Sequence, residues 1–226
     1  MLNEKYQIQF RLRSDAIFGS AERSETGVDM DVQHDRWGCP YLPGRTLKGV
    51  LRENCADILD NLEQIGEQDE WRDAAKHLFG QPGAGLVDTT ILHFDDAHLP
   101  QAIQQKLVQA VSQGKVSEHE VLEALTDIRI QTATDGWRGV AREKSLRTMR
   151  IILRKTLFSA PLFLIGDFGD CEKAMLAASL KVFRRCGTSR NRGLGEIEEV
   201  KLLDSEGNER LDEYFDLFRT KIGGVK

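Results

Sequence analysis

The first element that the sequence predicts is a strand near the start of the chain. In KYQIQFRLR, residues 5–13, apolar side chains alternate with polar ones. Because successive side chains of a strand point to opposite faces of a sheet, this period of two predicts one buried face and one polar, partly basic face. The next segment, FGSAERSETG, is rich in glycine and serine and is typical of a loop.

A helical period replaces this alternation in YLPGRTLKGVLRENCADILDNL, residues 41–62. A Pro-Gly turn precedes the pattern, and Thr46 is a suitable N-cap residue. The positions that define the apolar face are Leu47, Val50, Leu51, Ile58, Leu59 and Leu62. Lys48 and Arg52 are four residues apart, so we expect them to share one side of this helix near its first turns.

The rest of the chain predicts further helices and strands. Helices are predicted over residues 69–78, 170–185 and 211–218, and a polar helical stretch interrupted by SQGKVS over residues 100–125. Strands are predicted around residues 91–94, 148–158 and 161–168, and after the loop SRNRGLG. This order fits an α+β fold with helices on one face of a mostly antiparallel sheet, and the ferredoxin-like βαββαβ plan fits it best.

The length and the composition indicate one domain. The chain has 226 residues, of which 40% are hydrophobic, and no segment is rich enough in Pro, Gly or Ser to act as a linker. We therefore expect a single domain over residues 1–226, with insertions near residues 101–147. The four cysteines form no CxxC pair, and the longest apolar run, APLFLIG, is too short to cross a bilayer. These features favour a cytoplasmic protein with free thiols and no membrane partner.

Charge is distributed unevenly along a chain whose formal net charge is −5. Residues 57–73 contain seven acidic side chains and one basic side chain, whereas residues 184–192 contain four arginines and no acid. The whole surface therefore does not attract nucleic acid, and any basic binding site must be local.

Two glycine-containing basic segments are candidate phosphate sites. In PGRTLKG, Gly44 would let a phosphate chain approach the helix start, and Arg45, Lys48 and Arg52 would supply charge. The alternative is a helix cap with solvated basic residues, and no P-loop pattern is present.

In SRNRGLG, Arg190, Arg192 and Gly193 lie beyond a predicted helix end, where arginines beside flexible glycines suit a sugar-phosphate chain. The alternative is that the arginines offset the dipole of the preceding helix. Residues 129–147 are arginine-rich without a clear period, and they indicate a long basic loop or hairpin.

The segment HFDDAH raises the possibility of a metal site. His93, Asp95, Asp96 and His98 follow a predicted strand. Such residues commonly form turns at strand ends, and this interpretation is favoured over a dedicated metal centre. No GxSxG elbow is present, and no histidine has an obvious nucleophile beside it.

Three stretches in order resemble the RAMP superfamily of CRISPR proteins. They are VDMDVQHDRWGCPYLPGRTLKGVLR, LFGQPGAGLVDTTILHFDDAHL and RNRGLGEIE, and the segment PYLPGRTLKGVLR is the most specific of them. The chain is most similar to the subunit that forms the backbone of type III effector complexes. The resemblance implies a ferredoxin-like, RRM-related core with an inserted thumb-like hairpin and helical insertions. It also implies copies that associate along a guide RNA and whose thumbs kink the guide–target duplex at regular intervals.

The resemblance also assigns candidate site residues. Asp29 matches the aspartate that is required for target RNA cleavage with Mg²⁺ or another divalent cation, bound transiently. Asp35 matches a second aspartate that organises the loop, and Asp31 is an alternative carboxylate. Lys48 and Arg52 match basic positions that face the guide RNA, as does the loop with Arg190, Arg192 and Gly193. Arg45 stands where the family usually has a small serine.

The resemblance therefore implies a guide-RNA-binding subunit that acts as a metal-dependent endoribonuclease within a complex. Its partners would be guide RNA, target RNA, further copies and other effector subunits. An inactive structural subunit of the same kind of complex is the main alternative. A guide-processing nuclease would need a histidine near the first helix, and the first histidine, His34, lies in a predicted loop. An unrelated ferredoxin-like binding module is the remaining alternative.

Overall fold

The computed structural model describes residues 4–19, 27–64, 66, 69–80, 90–132 and 146–223. The first half of the chain contains β1 (Glu4–Leu12), α1 (Gly44–Gln64), α2 (Asp69–Phe79), β2 (Leu92–Phe94), α3 (Gln101–Ser112) and α4 (Glu118–Leu125). The second half contains β3 (Thr126–Gln131), β4 (Arg147–Ile152), β5 (Leu157–Leu164), α5 (Asp170–Lys181), a 3₁₀ turn (Arg190–Arg192), β6 (Ile197–Leu203) and α6 (Leu211–Gly223).

The main sheet has the strand order β2-β5-β1-β6, and all of its neighbouring strands are antiparallel. Along the chain, the elements of this motif follow one another as β1-α1-β2 and, after an insertion, as β5-α5-β6. This is the ferredoxin-like arrangement, in which the two outer strands are the second and the last of the motif. The predicted α+β, ferredoxin-like fold is confirmed.

The core lies between this sheet and the helices on one of its faces. Tyr6, Ile8 and Phe10 of β1 are buried, whereas Gln7 and Gln9 between them are half-buried on the opposite face. The Phe10 ring stacks on Phe158 of β5 and meets the edge of Phe183, with ring centroids 5.5 Å apart in both pairs. The period-two pattern of β1 therefore arises because only one face of the strand packs against helices.

A large insertion separates β2 from β5 and contains α3, α4 and a two-stranded sheet, β3-β4. The arginine-rich segment 129–147 contributes the end of β3 and the first residue of β4, and residues 133–145 between them lie outside the described residues. The base of this hairpin is joined to the core, because Ala16 and Ile152 exchange backbone hydrogen bonds of 3.0 and 2.7 Å.

Some predicted boundaries are wrong. The sequence predicts strands over residues 148–158 and 161–168, with a break at residues 159–160. In the structure, the break between the corresponding strands β4 and β5 falls at residues 153–156, and Pro161 lies inside β5. Lys155 adopts a left-handed conformation with φ of 71° in that turn, and no glycine or proline marks it in the sequence. Helix α5 ends at Lys181, four residues before the predicted end, and α6 runs past its predicted end to Gly223.

The start of α1 packs directly on the end of β2. A Cβ atom on Gly44 would lie 2.4 Å from the carbonyl oxygen of Phe94 and 2.7 Å from that of Asp95. The Gly44 N–H donates a 2.7 Å hydrogen bond to Oδ1 of Asp96. The helix therefore begins at Gly44, and Thr46, predicted as the N-cap, lies within its first turn instead.

The free thiols expected from the sequence are present in the structure. All four cysteines, Cys39, Cys55, Cys171 and Cys186, are free thiols. Within the described ranges, no helix combines the length and the apolar character needed to cross a membrane.

Two glycines of α1 give a matched stability test. Gly44→Ala should destabilise the protein by about 1–3 kcal/mol, because the new methyl group overlaps backbone atoms that cannot rotate away. A Cβ on Gly49 meets no atom within 4 Å. Gly49→Ala should therefore stabilise the helix by about 0.5–1 kcal/mol. Urea unfolding of both variants measures the difference, and equal effects would contradict the described packing of Gly44.

Candidate nucleic-acid interface

A polar groove forms where the loop after α5 approaches the start of β4 and the exposed side of α1. Its volume is about 890 Å³, and it is open to solvent. The residues that line it are Glu53, Arg147, Arg185, Gly187, Thr188, Ser189, Arg190, Asn191 and Arg192. Three segments that are distant in the sequence therefore meet at one surface.

The groove carries an excess of positive charge. Arg190 is paired with Glu53 of α1 at 3.0 Å, and Arg185 is paired with Glu196 at 3.2 Å. Arg192 is exposed and forms no ion pair with a described residue. Because four arginines face one glutamate among the lining residues, the groove provides the local basic site that a chain of net charge −5 needs to bind a polyanion.

The glycines of this loop serve different purposes. A Cβ on Gly187 would lie 2.4 Å from the carbonyl oxygen of Ile17, and one on Gly195 would lie 1.8 Å from that of Cys186. These two glycines are required by the packing of the chain on itself. Gly193 has a φ of 77°, and a Cβ there would meet no atom within 4 Å. Of the three, Gly193 is the one whose backbone faces open space beside the arginines.

Asp29 lies beside the start of β4, close to Arg147, which also lines this groove. The loop around it runs parallel to β4, with the Asp29 N–H donating to the carbonyl of Thr148 at 3.0 Å and the Arg150 N–H donating to the carbonyl of Met30 at 2.9 Å. The exposed Asp29 carboxylate accepts hydrogen bonds from the N–H of Thr148 at 2.7 Å and from its hydroxyl at 3.1 Å.

These bonds keep the Asp29 carboxylate ionised. The hydrogen bond from the Thr148 amide, followed by that from its hydroxyl, lowers the pKa of Asp29 below its ordinary value, and the nearby Arg147 acts in the same direction. Asp29 is therefore an exposed anion beside a basic groove.

Asp31 occupies a different environment from Asp29. Its Oδ1 accepts a 3.1 Å hydrogen bond from Nε of Arg150, and only 9% of the Asp31 side chain and 4% of that of Arg150 are exposed. A second guanidinium nitrogen of Arg150 donates to the hydroxyl of Thr126 at 3.1 Å. Through this buried pair and the bond to Thr126, the loop, β4 and β3 are held in contact. Of the two carboxylates Asp29 and Asp31, only that of Asp29 is exposed.

Asp35 forms a compact turn further along the same loop. Its Oδ1 accepts hydrogen bonds from the backbone N–H groups of Trp37 at 2.8 Å and Cys39 at 3.0 Å. Its Oδ2 accepts a bond of 3.2 Å from the side-chain amide of Gln104. These contacts fix the path of the chain between the Asp29 loop and α1.

The predicted basic residues of α1 are not among the described residues that line the groove. Arg45 is exposed, whereas Lys48 and Arg52 are half-buried. The ammonium group of Lys48 donates a 3.1 Å hydrogen bond to the hydroxyl of Thr90, and Arg52 borders a separate groove between α1 and α2. The prediction that Gly44 lets a phosphate chain approach the helix start does not fit the structure, because Gly44 is buried and its N–H donates to Asp96.

Sequence reasoning missed the contributions of Thr148, Arg185 and Arg150. The contacts of Thr148 and Arg150 link residues that are 119 positions apart in the chain. A parallel contact between a loop and a hairpin strand leaves no local pattern in the sequence. The only available signal was that Arg150 interrupts an apolar run in TMRIILRKTLF.

The segment HFDDAH does not form a metal centre. Asp96 caps α1, and His98 stacks on the ring of Tyr41 with centroids 5.1 Å apart. In the part of the chain that the structure describes, no three His, Cys, Asp or Glu side chains are grouped so that they could hold a metal ion.

The family model for the RAMP superfamily matches residues 9–198. The chain therefore belongs to the RAMP superfamily. No individually curated protein matches it.

Two solved structures resemble the whole chain. A chain from the cryo-EM structure of type III-B Cmr-beta bound to cognate target RNA is 12% identical, with a TM-score of 0.64, and the match covers 95% of this chain and 99% of that one. A chain from the cryo-EM structure of type III-B Cmr-beta in the apo state is 13% identical, with a TM-score of 0.60. That match covers 91% of this chain and 98% of the other. At these identities the similarity establishes the shared fold.

The buried Asp31–Arg150 pair gives a second stability test. Asp31→Ala should destabilise the protein by about 3–5 kcal/mol, because it leaves a buried guanidinium without its carboxylate. Glu198→Ala removes one partner of the exposed pair with Lys155 and should have a much smaller effect, because water screens that pair. Urea unfolding midpoints of the two variants provide the comparison. Equal losses would contradict the burial of the Asp31 pair.

Proposed function

We propose that this protein is a guide-RNA-binding backbone subunit of a type III CRISPR effector complex, and that it cuts complementary target RNA through Asp29. The observation that carries the proposal is the position of Asp29. Its exposed carboxylate is held against the start of β4 in the inserted hairpin, beside a groove rich in arginine. A groove of this kind suits a phosphate chain, and the carboxylate beside it suits metal-assisted chemistry on a neighbouring strand.

The groove supports binding to the RNA backbone. Arg190 and Arg192 flank a short turn that ends at the open Gly193, so phosphate oxygens can approach both guanidinium groups and the main chain. The proposal assigns sequence recognition to pairing between guide and target, while the protein recognises the backbone and its shape.

The fold similarity supports the same assignment. One of the similar chains comes from type III-B Cmr-beta bound to cognate target RNA. By analogy, the partners of this chain are guide RNA, target RNA, other effector subunits and further copies of itself along the guide.

The proposed cleavage depends on one carboxylate. Among the described residues, only Thr148 donates hydrogen bonds to the Asp29 carboxylate, and both bonds go to Oδ2. Oδ1 is therefore the atom that would hold a divalent cation such as Mg²⁺, together with RNA phosphate oxygens. When bound, the cation supplies charge stabilisation at the scissile phosphate. Asp29 itself would orient the cation or the attacking 2′-hydroxyl on RNA that the hairpin distorts.

A structural subunit without nuclease activity is the second candidate. It is favoured by the lone carboxylate, since the described residues contain no cluster of metal ligands. In that case Asp29 would only attach the loop to β4, and the groove would still bind the guide.

Replacement of Asp29 separates the two candidates. In the assembled complex, Asp29→Asn should reduce target cleavage by at least about 100-fold, because the amide cannot replace the carboxylate as ligand or base. Guide content and target binding should not change. Gel analysis of target fragments measures the effect, and Asp127→Asn on β3 is a matched exposed control. Continued cleavage at regular intervals by the Asp29 variant would favour the structural subunit.

The groove predicts a specific salt dependence. Replacing Arg190 and Arg192 by alanine should weaken guide-RNA binding, and the slope of log K against log salt should fall by roughly one unit for each lost phosphate contact. Arg219→Ala on α6 removes an exposed arginine outside the groove and should leave the slope unchanged. Filter-binding titrations at several salt concentrations provide the slopes. The same slope for the double variant and the unaltered protein would exclude these arginines from the interface.

A further inference from the structure

The contacts between Asp29 and Thr148 are reciprocal. The Thr148 N–H and hydroxyl both donate to Oδ2 of Asp29, at 2.7 and 3.1 Å. The Asp29 N–H in turn lies 3.0 Å from the carbonyl oxygen of Thr148 and 3.2 Å from its hydroxyl oxygen. One residue of β4 therefore contacts both the backbone and the side chain of Asp29.

This arrangement restricts a side chain that would otherwise rotate. An exposed aspartate normally samples several rotamers, and catalysis by a single carboxylate loses efficiency when its direction varies. Two hydrogen bonds to the same oxygen fix the plane of the Asp29 carboxylate. They also leave Oδ1 as the oxygen that points away from β4.

The attachment also links the carboxylate to the hairpin. Thr148 is directly opposite Ile130 of β3 in the hairpin register, and Ile130 is 62% exposed. Two residues along β4, Arg150 forms the buried pair with Asp31. The loop is thus fixed to β4 at two successive points, one buried and one exposed, and any displacement of β4 displaces Asp29 with it.

We propose that Thr148 is a positioning residue for Asp29, whose amide and hydroxyl hold Oδ2 so that Oδ1 is directed toward bound RNA and its cation. The proposal rests on the proposed function, in which Asp29 is the catalytic group. It assigns to the hairpin strand a role in orienting the carboxylate, in addition to any contact that the hairpin itself makes with RNA.

Thr148→Val tests this role, because valine keeps the shape of threonine and the backbone N–H but lacks the hydroxyl. In the assembled complex, kcat for target cleavage should fall about 10-fold, while KM for target RNA stays unchanged. Thr148→Ser keeps the hydroxyl and should restore kcat. Thr132→Val is the matched control, since Thr132 follows β3 and has no described contact with Asp29. If the valine variant does not assemble, Thr148→Ala removes the same hydroxyl.

A second measurement does not depend on activity. Amide hydrogen exchange of peptides that cover residues 27–32 should be about 5-fold faster in Thr148→Val than in the unaltered complex, and Thr148→Ser should reverse the change. Unchanged kcat in Thr148→Val, in a complex that Asp29→Asn inactivates, would overturn the inference. Unchanged exchange would overturn it as well.

The Asp29→Asn variant distinguishes a failure of the proposed function from a failure of the positioning role of Thr148. If Asp29→Asn complexes still cut target RNA, the catalytic role of Asp29 is excluded, whatever the Thr148 variants do. Faster exchange in Thr148→Val would then establish only that its hydroxyl holds the loop. A loss of kcat in Thr148→Val that serine does not restore would also count against positioning by the hydroxyl.

Discussion

The attachment of the Asp29 loop to β4 is the constraint on which the candidate site depends. Backbone hydrogen bonds align the two segments in parallel, and the buried ion pair of Asp31 with Arg150 prevents them from sliding. A shift by two residues would place Asp29 at the buried position of Asp31 beside Arg150, because every second side chain of an extended segment points to the same face. The buried pair therefore specifies which of two nearby carboxylates faces the groove.

The ferredoxin-like core positions the other half of the site. Helix α1 begins where it does because Gly44 fits against the carbonyl groups at the end of β2. The loop after α5 reaches α1 through the pair of Arg190 with Glu53. Positive charge is thus concentrated at the junction of core and insertion, while the chain as a whole remains acidic. This distribution confines attraction for a polyanion to one surface.

Periodicity predicted the ferredoxin-like fold well, because β1 and α1 each bury one face against a single core. Residue type and spacing made the arginines near Gly193 candidates for phosphate binding, and the resemblance to the RAMP superfamily made Asp29 the candidate carboxylate. The sequence could not predict the contact of Thr148 with Asp29 or the burial of Asp31, because both depend on pairing between segments 119 positions apart. The role expected for Gly44 failed for a related reason, since the backbone that approaches it belongs to β2 and not to RNA.

In the proposed complex, RNA lies along the groove formed by the loop after α5, the start of β4 and α1. Ultraviolet crosslinking of the native complex, followed by mass spectrometry of peptides that carry nucleotides, tests it most directly. The crosslinked peptides should contain residues 187–193 and Arg147, attached to repeat-derived guide RNA. Crosslinks confined to α3, α4 or the outer face of the sheet would contradict it.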